Sequence, residues 1–174
     1  MIHIFGTIAC LVYILDRVRL HYPEILARAS WVNHAFFRAE EQVRESAMIP
    51  YVIASLLTLL TFPKPIALIA ITTLALADPA SAIVGITWGR RRLLPNKSLE
   101  GSSAFLLVTC AVAATVLYLG SSASGGEIAR AASLIGLAAA TFELVPLRID
   151  DNLTIPLFVG FVSWVICGGL GIQW

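Results

Sequence analysis

Six apolar stretches, each bounded by charges, prolines or glycines, leave this chain few ways to fold: they fall at about 1–15, 47–62, 65–88, 101–120, 128–147 and 153–172. A helix needs roughly 20 apolar residues to cross the hydrocarbon core of a bilayer, and within lipid only helices and closed barrels satisfy their own backbone. The pattern therefore predicts an all-α, polytopic membrane helix bundle with about six transmembrane helices. The first two stretches are short and need flanking residues or local thinning to cross. Composition agrees, since 58% of the 174 residues are hydrophobic and 13% charged, with a mean hydropathy of +0.84, far more apolar than an ordinary soluble domain. No internal repeat is visible, and residues 1–174 read as a single integral membrane domain.

The run Ile2 to Leu15 has no basic residues ahead of it, and the A-x-A match at 27–29 follows a charged segment. A retained helix is therefore expected rather than a cleaved signal. Alternating the connections across the bilayer puts Arg17, Arg19, Arg28, Arg38, Arg44, Arg90, Arg91, Arg92, Lys97 and Arg148 on one side. The positive-inside bias makes that side cytoplasmic. Lys64 remains in the loops opposite, with Arg130 just inside the fifth span. A net charge of +1 gives no bulk basic field for nucleic acid. Cys10, Cys110 and Cys167 lie in apolar runs without metal or disulfide spacing.

The charges carry the functional information. Asp78 lies some 13 residues into the third span, about 20 Å from its start at 1.5 Å per residue. A carboxylate at that depth has to face protein, water or a cation. Asp78-Pro79 also fits an N-cap with proline at the first helical position, which predicts a helix broken and restarted inside the membrane, a device that exposes backbone groups for ion binding. Ala82, Gly85 and Gly89 make a strip of small residues below it. That strip serves either close helix packing or the approach of a phosphate or metal, and the residues leave both open.

The segment "GRRRLLPNKSLEG" places Arg90, Arg91, Arg92 and Lys97 at the cytoplasmic mouth of the same span. These cations anchor topology and also suit a triphosphate. No G-x-x-x-x-G-K-[ST] occurs, which argues against a P-loop enzyme. Downstream, Glu143 and "RIDDN" at 148–152 supply further acids. Asp150, Asp151 and Asn152 offer hard oxygen ligands for Mg²⁺, or simply an Asx-capped turn. Residues 30–46 read as an amphipathic surface helix with Arg38, Glu41 and Arg44 on one face, where ordinary charge pairs contribute about 0.2–0.5 kcal/mol each.

The runs "ADPASAIVGITWGRRRLLPNKSLEGSSAF", "ELVPLRIDDNLTIPL" and "FRAEEQVRESAMIPY" together resemble the CTP-dependent lipid kinase family, which comprises dolichol and polyprenol kinases, phytol kinase and CTP-dependent diacylglycerol kinases and is related to the phosphatidate cytidylyltransferases. The likeness extends over roughly 35–160. It implies a multi-pass integral membrane enzyme with its active site on the cytoplasmic face. The reaction implied is transfer of the γ-phosphate of CTP to a membrane lipid alcohol, with Mg²⁺ or another divalent cation. Segments 77–103 and 143–156 would be its CTP and metal motifs. By position, Asp78 and Gly85 match the acid and glycine of the CTP motif. Lys97, Glu100 and Gly101 match its Lys-x-x-Glu-Gly end, and Asp150, Asp151 and Asn152 match the acidic loop. Arg38, Glu41 and Arg44 match the helix before the second span, where a frequent second basic residue is Ala39 here.

The resemblance thus implies Asp78, Lys97, Glu100 and Asp151 as catalytic residues, and Asp78, Asp150 and Asp151 as metal ligands. It implies Gly85, Gly89, Arg90, Arg91, Arg92, Lys97, Arg38 and Arg44 around the nucleotide. Two other readings stand beside it. In one, a phosphorylated lipid attacks the α-phosphate, as in a phosphatidate cytidylyltransferase. In the other, a transporter or non-catalytic subunit uses Asp78 and Glu143 as ion sites.

Overall fold

The computed structural model describes residues 2–21, 48–147 and 149–174. Within them the apolar stretches fold as helices α1 (Ile2–His21), α2 (Met48–Thr61), α3 (Lys64–Thr87), α4 (Leu99–Gly120), α5 (Gly125–Glu143) and α6 (Asp151–Gly169). Between α3 and α4 a short antiparallel hairpin pairs β1 (Arg92–Leu94) with β2 (Lys97–Ser98) around a Pro95-Asn96 turn. The all-α expectation holds, with that hairpin added. Among the described residues three helices, α3, α4 and α6, are long and apolar enough to cross a membrane, and α2 is apolar but shorter.

Local chemistry explains most of the boundaries. A proline within its first two positions opens α3, where the missing N–H is no loss. Ser98 caps α4 by accepting from the Gly101 N–H at 3.1 Å, and Asp150 caps α6 by accepting from the Asn152 N–H at 2.9 Å. At α5, Ser124 and Glu127 form a reciprocal capping box.

Helices α3 to α6 pack in a ring, each on the next and α6 back on α3, with α2 covering α6 and α1 lying on α2. Short connections make the ring neighbours antiparallel. Gly120, ending α4, accordingly lies against Pro65 at the start of α3. One end of the ring therefore collects the C-termini of α3 and α5, the N-termini of α4 and α6, and the hairpin.

The core combines Ile66, Ile69, Phe105, Leu117, Ile135, Ile155 and Val159 with many buried alanines. Small residues set how closely the helices approach: a Cβ at Gly160 would come within 2.7 Å of the Phe62 ring, and one at Gly136 would collide with Cys110 Sγ. Large apolar side chains such as Ile83, Ile86, Leu107, Leu119 and Phe161 are exposed on the outside. Small residues at the contacts between helices are a feature of membrane bundles, where lipid leaves no hydrophobic drive to bury large ones.

Three expectations are corrected. The helix does not break at Asp78-Pro79, because α3 runs through Pro79 without interruption. Proline removes only the hydrogen bond to the Ala75 carbonyl, and a packed or lipid-embedded helix tolerates that. The fifth helix ends at Glu143 rather than near 147, since Pro146 turns Val145 away from helical geometry. The first helix continues to His21 and carries Asp16 and Arg17 within it, with Asp16 buried. Arg38, Glu41, Arg44, Arg148 and the surface helix at 30–46 lie outside the described residues.

Candidate active site

A cavity of about 230 Å³ opens at the end of the ring where the hairpin sits. Helix α3 contributes Asp78, Ser81, Ala82, Gly85 and Ile86, which share one helical face because residues three, four, seven and eight apart align. Asp78 lies nine residues before the end of α3 at Thr87, about 14 Å along the axis. The hairpin adds Arg92, Asn96, Lys97 and Ser98; α4, α5 and α6 add Gly101, Glu143 and Asp151.

Three glycines permit this convergence. A Cβ on Gly101 would stand 2.9 Å from the Ser81 carbonyl oxygen and 3.3 Å from Gly85 Cα, both backbone atoms. A Cβ on Gly89 would run into the Gly85 carbonyl and come within 2.8 Å of Ser98 Oγ. The strip on α3 is thus used for packing against the start of α4, and Gly85 also lines the cavity.

Lys97 is the electrostatic centre. Its Nζ lies 2.8 Å from Glu143 Oε1 and 3.8 Å from Asp151 Oδ2, and it also donates to the Glu143 backbone carbonyl. Because Glu143 is the last residue of α5, the ammonium sits at the negative end of that helix dipole. Ser102 Oγ donates to Glu143 Oε2 at 3.3 Å, so both carboxylate oxygens have partners. The Glu143 side chain is 4% exposed and that of Asp151 is 52%. A carboxylate buried as deeply as Glu143 depends on its partners, whereas Asp151 remains open to a ligand.

The remaining predicted residues take other places. Glu100 accepts the Arg91 N–H on both oxygens, at 3.4 and 3.3 Å, and Leu99 N–H donates to the Arg91 carbonyl at 2.8 Å. These contacts tie the root of the hairpin to α4. Arg90 and Arg91 are exposed and do not line the cavity, nor does Gly89. Asp150 is the α6 cap, so the two readings of the acidic loop divide between its acids: Asp150 caps and Asp151 faces the cavity.

Ser81, Asn96, Ser98 and Ser102 were not singled out from the sequence, and Glu143 was read as a further acid or an ion site, not as the partner of Lys97. Ser81 follows Asp78 by three residues on the same helical face, a legible signal. The partnership of Glu143 with Lys97 spans 46 positions and has no local one.

Among the described residues, no three His, Cys, Asp or Glu side chains gather to hold a metal by themselves. Asp78 and Asp151 do line one cavity, and Mg²⁺ commonly takes one or two carboxylates, completing its shell with phosphate oxygens and water. The donor set fits an ion that arrives with a phosphorylated ligand.

The chain is 37% identical over 102 residues to the uncharacterized protein RP860 of Rickettsia prowazekii (strain Madrid E), a match covering 58% of this chain and 48% of that protein. The matched part thus spans about half the length of the relative. No family model matches the chain, and no solved structure does.

Proposed function

We propose that the chain is a CTP-dependent lipid kinase that transfers the γ-phosphate of CTP to a membrane alcohol, such as a diacylglycerol, a polyprenol or dolichol, or phytol, and releases CDP. The observation that carries this reading is the cavity: cations Arg92 and Lys97 and acids Asp78 and Asp151, from segments 77–103 and 143–156, line one space at the end of an apolar bundle. CTP as donor, and a lipid alcohol as acceptor, follow from the family resemblance of those segments. In the same proposal all six helices cross the bilayer, and the Arg- and Lys-rich end is cytoplasmic.

Phosphoryl transfer depends chiefly on positioning and on neutralising charge. Arg92 and Lys97 face the phosphates, and the two contacts from Lys97 to Glu143 hold its ammonium in place before the nucleotide binds. Asp78 and Asp151 would hold Mg²⁺ against the phosphate oxygens, where the ion supplies charge neutralisation. The acceptor oxygen attacks the γ-phosphorus, and the bond from that phosphorus to the β–γ bridging oxygen breaks. The electron pair leaves with CDP. Asp151 has a second carboxylate oxygen to take the hydroxyl proton.

The test is lipid phosphorylation by purified protein in mixed micelles. γ-Labelled CTP and ATP are offered against diacylglycerol, phytol and a polyprenol, with Asp78→Ala in parallel. Label passing from CTP into a lipid, and lost in the variant, is expected. Pyrophosphate release with a CDP-lipid product would instead make the protein a cytidylyltransferase, and folded protein without nucleotide turnover would end the enzyme reading.

A further inference from the structure

A second cavity, of about 310 Å³, adjoins the first, and Asn96, Lys97 and Asp151 line both. Its other walls are Leu94, Pro95, Leu144, Val145, Pro146 and Leu147, so beyond the shared boundary every lining side chain is apolar. These residues belong to the hairpin and to the connection between α5 and α6, where polar side chains are the rule. Val145 and Leu147 are 46% and 39% exposed, although no helix packing requires them there. Clustered apolar side chains left on the surface around a concavity mark a binding site.

The two cavities differ in chemistry across one boundary. The first presents Asp78, Ser81, Arg92 and the glycine backbone, suited to phosphates. The second presents aliphatic side chains and proline rings, suited to hydrocarbon. Lys97 and Asp151 stand between them. A molecule fitting this division is an amphiphile whose hydroxyl rests at Asp151 while its chain lies over the 144–147 connection. A nucleoside base fits less well, because no aromatic ring lines the second cavity for stacking.

We infer that the second cavity holds the head-proximal part of the hydrocarbon chain of the acceptor alcohol. The acceptor then reaches the phosphates past Asp151, over the connection between α5 and α6, rather than alongside Asp78 between helices. This inference rests on the lipid kinase reading for the identity of the occupant, while its test reads binding without turnover.

The experiment uses a long-chain primary alcohol carrying a diazirine near its hydroxyl, photolysed with the protein in detergent micelles and mapped by peptide mass spectrometry. Labelling concentrated on residues 144–147, competed by unlabelled alcohol and reduced about tenfold in Val145→Asp or Leu147→Asp with Mg–CTP binding unchanged, is expected. Both positions are exposed, so these variants leave the core intact. Saturable labelling of residues 78–86 instead, labelling that unlabelled alcohol does not compete, or a loss of Mg–CTP binding with labelling unchanged would each overturn the inference. Saturable labelling at 144–147 without any turnover would keep the lipid site and remove the kinase reading. Turnover without labelling there would keep the kinase and remove the site.

Discussion

The two ends of the helical ring use similar residues and connect them differently. At the end bearing Gly120 and Ser124, polar contacts join near neighbours: Ser124 and Glu127 cap α5 reciprocally, and Ser121 donates to the Leu117 carbonyl at 2.7 Å. At the opposite end, Lys97 and Ser102 reach Glu143 across 46 and 41 positions, and Lys97 also reaches Asp151. Local contacts finish a helix. Contacts between distant segments hold separate elements in one arrangement, against a larger loss of chain freedom. The glycines follow the same division: Gly101 is hemmed in by backbone, while a Cβ on Gly125 would meet nothing within 4 Å.

The largest effect should come from Lys97→Met, which leaves Glu143 charged and buried without its cation. Breaking such a pair from one side costs about 3–5 kcal/mol, read as a fall in the unfolding midpoint in detergent. Adding Glu143→Gln should recover much of that stability without restoring nucleotide binding. Recovery of both would show that the lysine serves the fold alone.

Gly101→Ala against Gly125→Ala sharpens the contrast. The first forces α3 and α4 apart and should cost about 1–3 kcal/mol. The second adds a methyl to open space at a helix start and should be neutral or stabilise by up to about 1 kcal/mol. Similar costs at both sites would mean that the tight approach at the hairpin end is not a constraint.

Ser124→Ala should be smaller, about 1 kcal/mol for a lost cap, with Mg–CTP binding untouched. The smallest effect concerns pH. Glu127, ahead of the apolar stretch of α5, is held below its ordinary value near 4.5 by hydrogen bonds from the Ser124 hydroxyl and N–H, aided by Arg130. A depressed carboxyl stabilises the folded state above its unfolded value, and that contribution fades as pH falls through the folded one. Wild type should therefore lose a small increment of stability on acidification below about 4.5 that is reduced in Ser124→Ala, which keeps only the backbone N–H and Arg130 as partners of Glu127. Parallel pH profiles would contradict the cap.

The helices were legible because long apolar runs bounded by charges, prolines or glycines have few alternatives, and α2, α3, α4 and α6 begin and end within a few residues of expectation. Asp78 announced itself by depth. Its break at Pro79 was misjudged, because a helix packed against neighbours, as α3 is against α4 and α6, tolerates the one lost backbone hydrogen bond that would end a helix in water. Pro146 did carry the signal that ends α5 early, and the apolar run through Leu147 obscured it. The four loop cations looked equivalent. Folding 92–98 into a hairpin directs Arg92 and Lys97 to the cavity and leaves Arg90 and Arg91 outside. No spacing rule joins Lys97 to Glu143, because that contact exists only once the ring has closed.

The central claim is that segments 77–103 and 143–156 form a single nucleotide–metal site, and equilibrium binding of Mg–CTP in detergent micelles tests it most directly. Wild type, Arg92→Gln from the first segment and Asp151→Asn from the second should be compared, both positions being exposed enough to change without opening the core. The account predicts saturable binding by wild type and a loss of about tenfold, some 1.4 kcal/mol, in each variant. Undiminished binding in Asp151→Asn, or no binding by folded wild type, would contradict it.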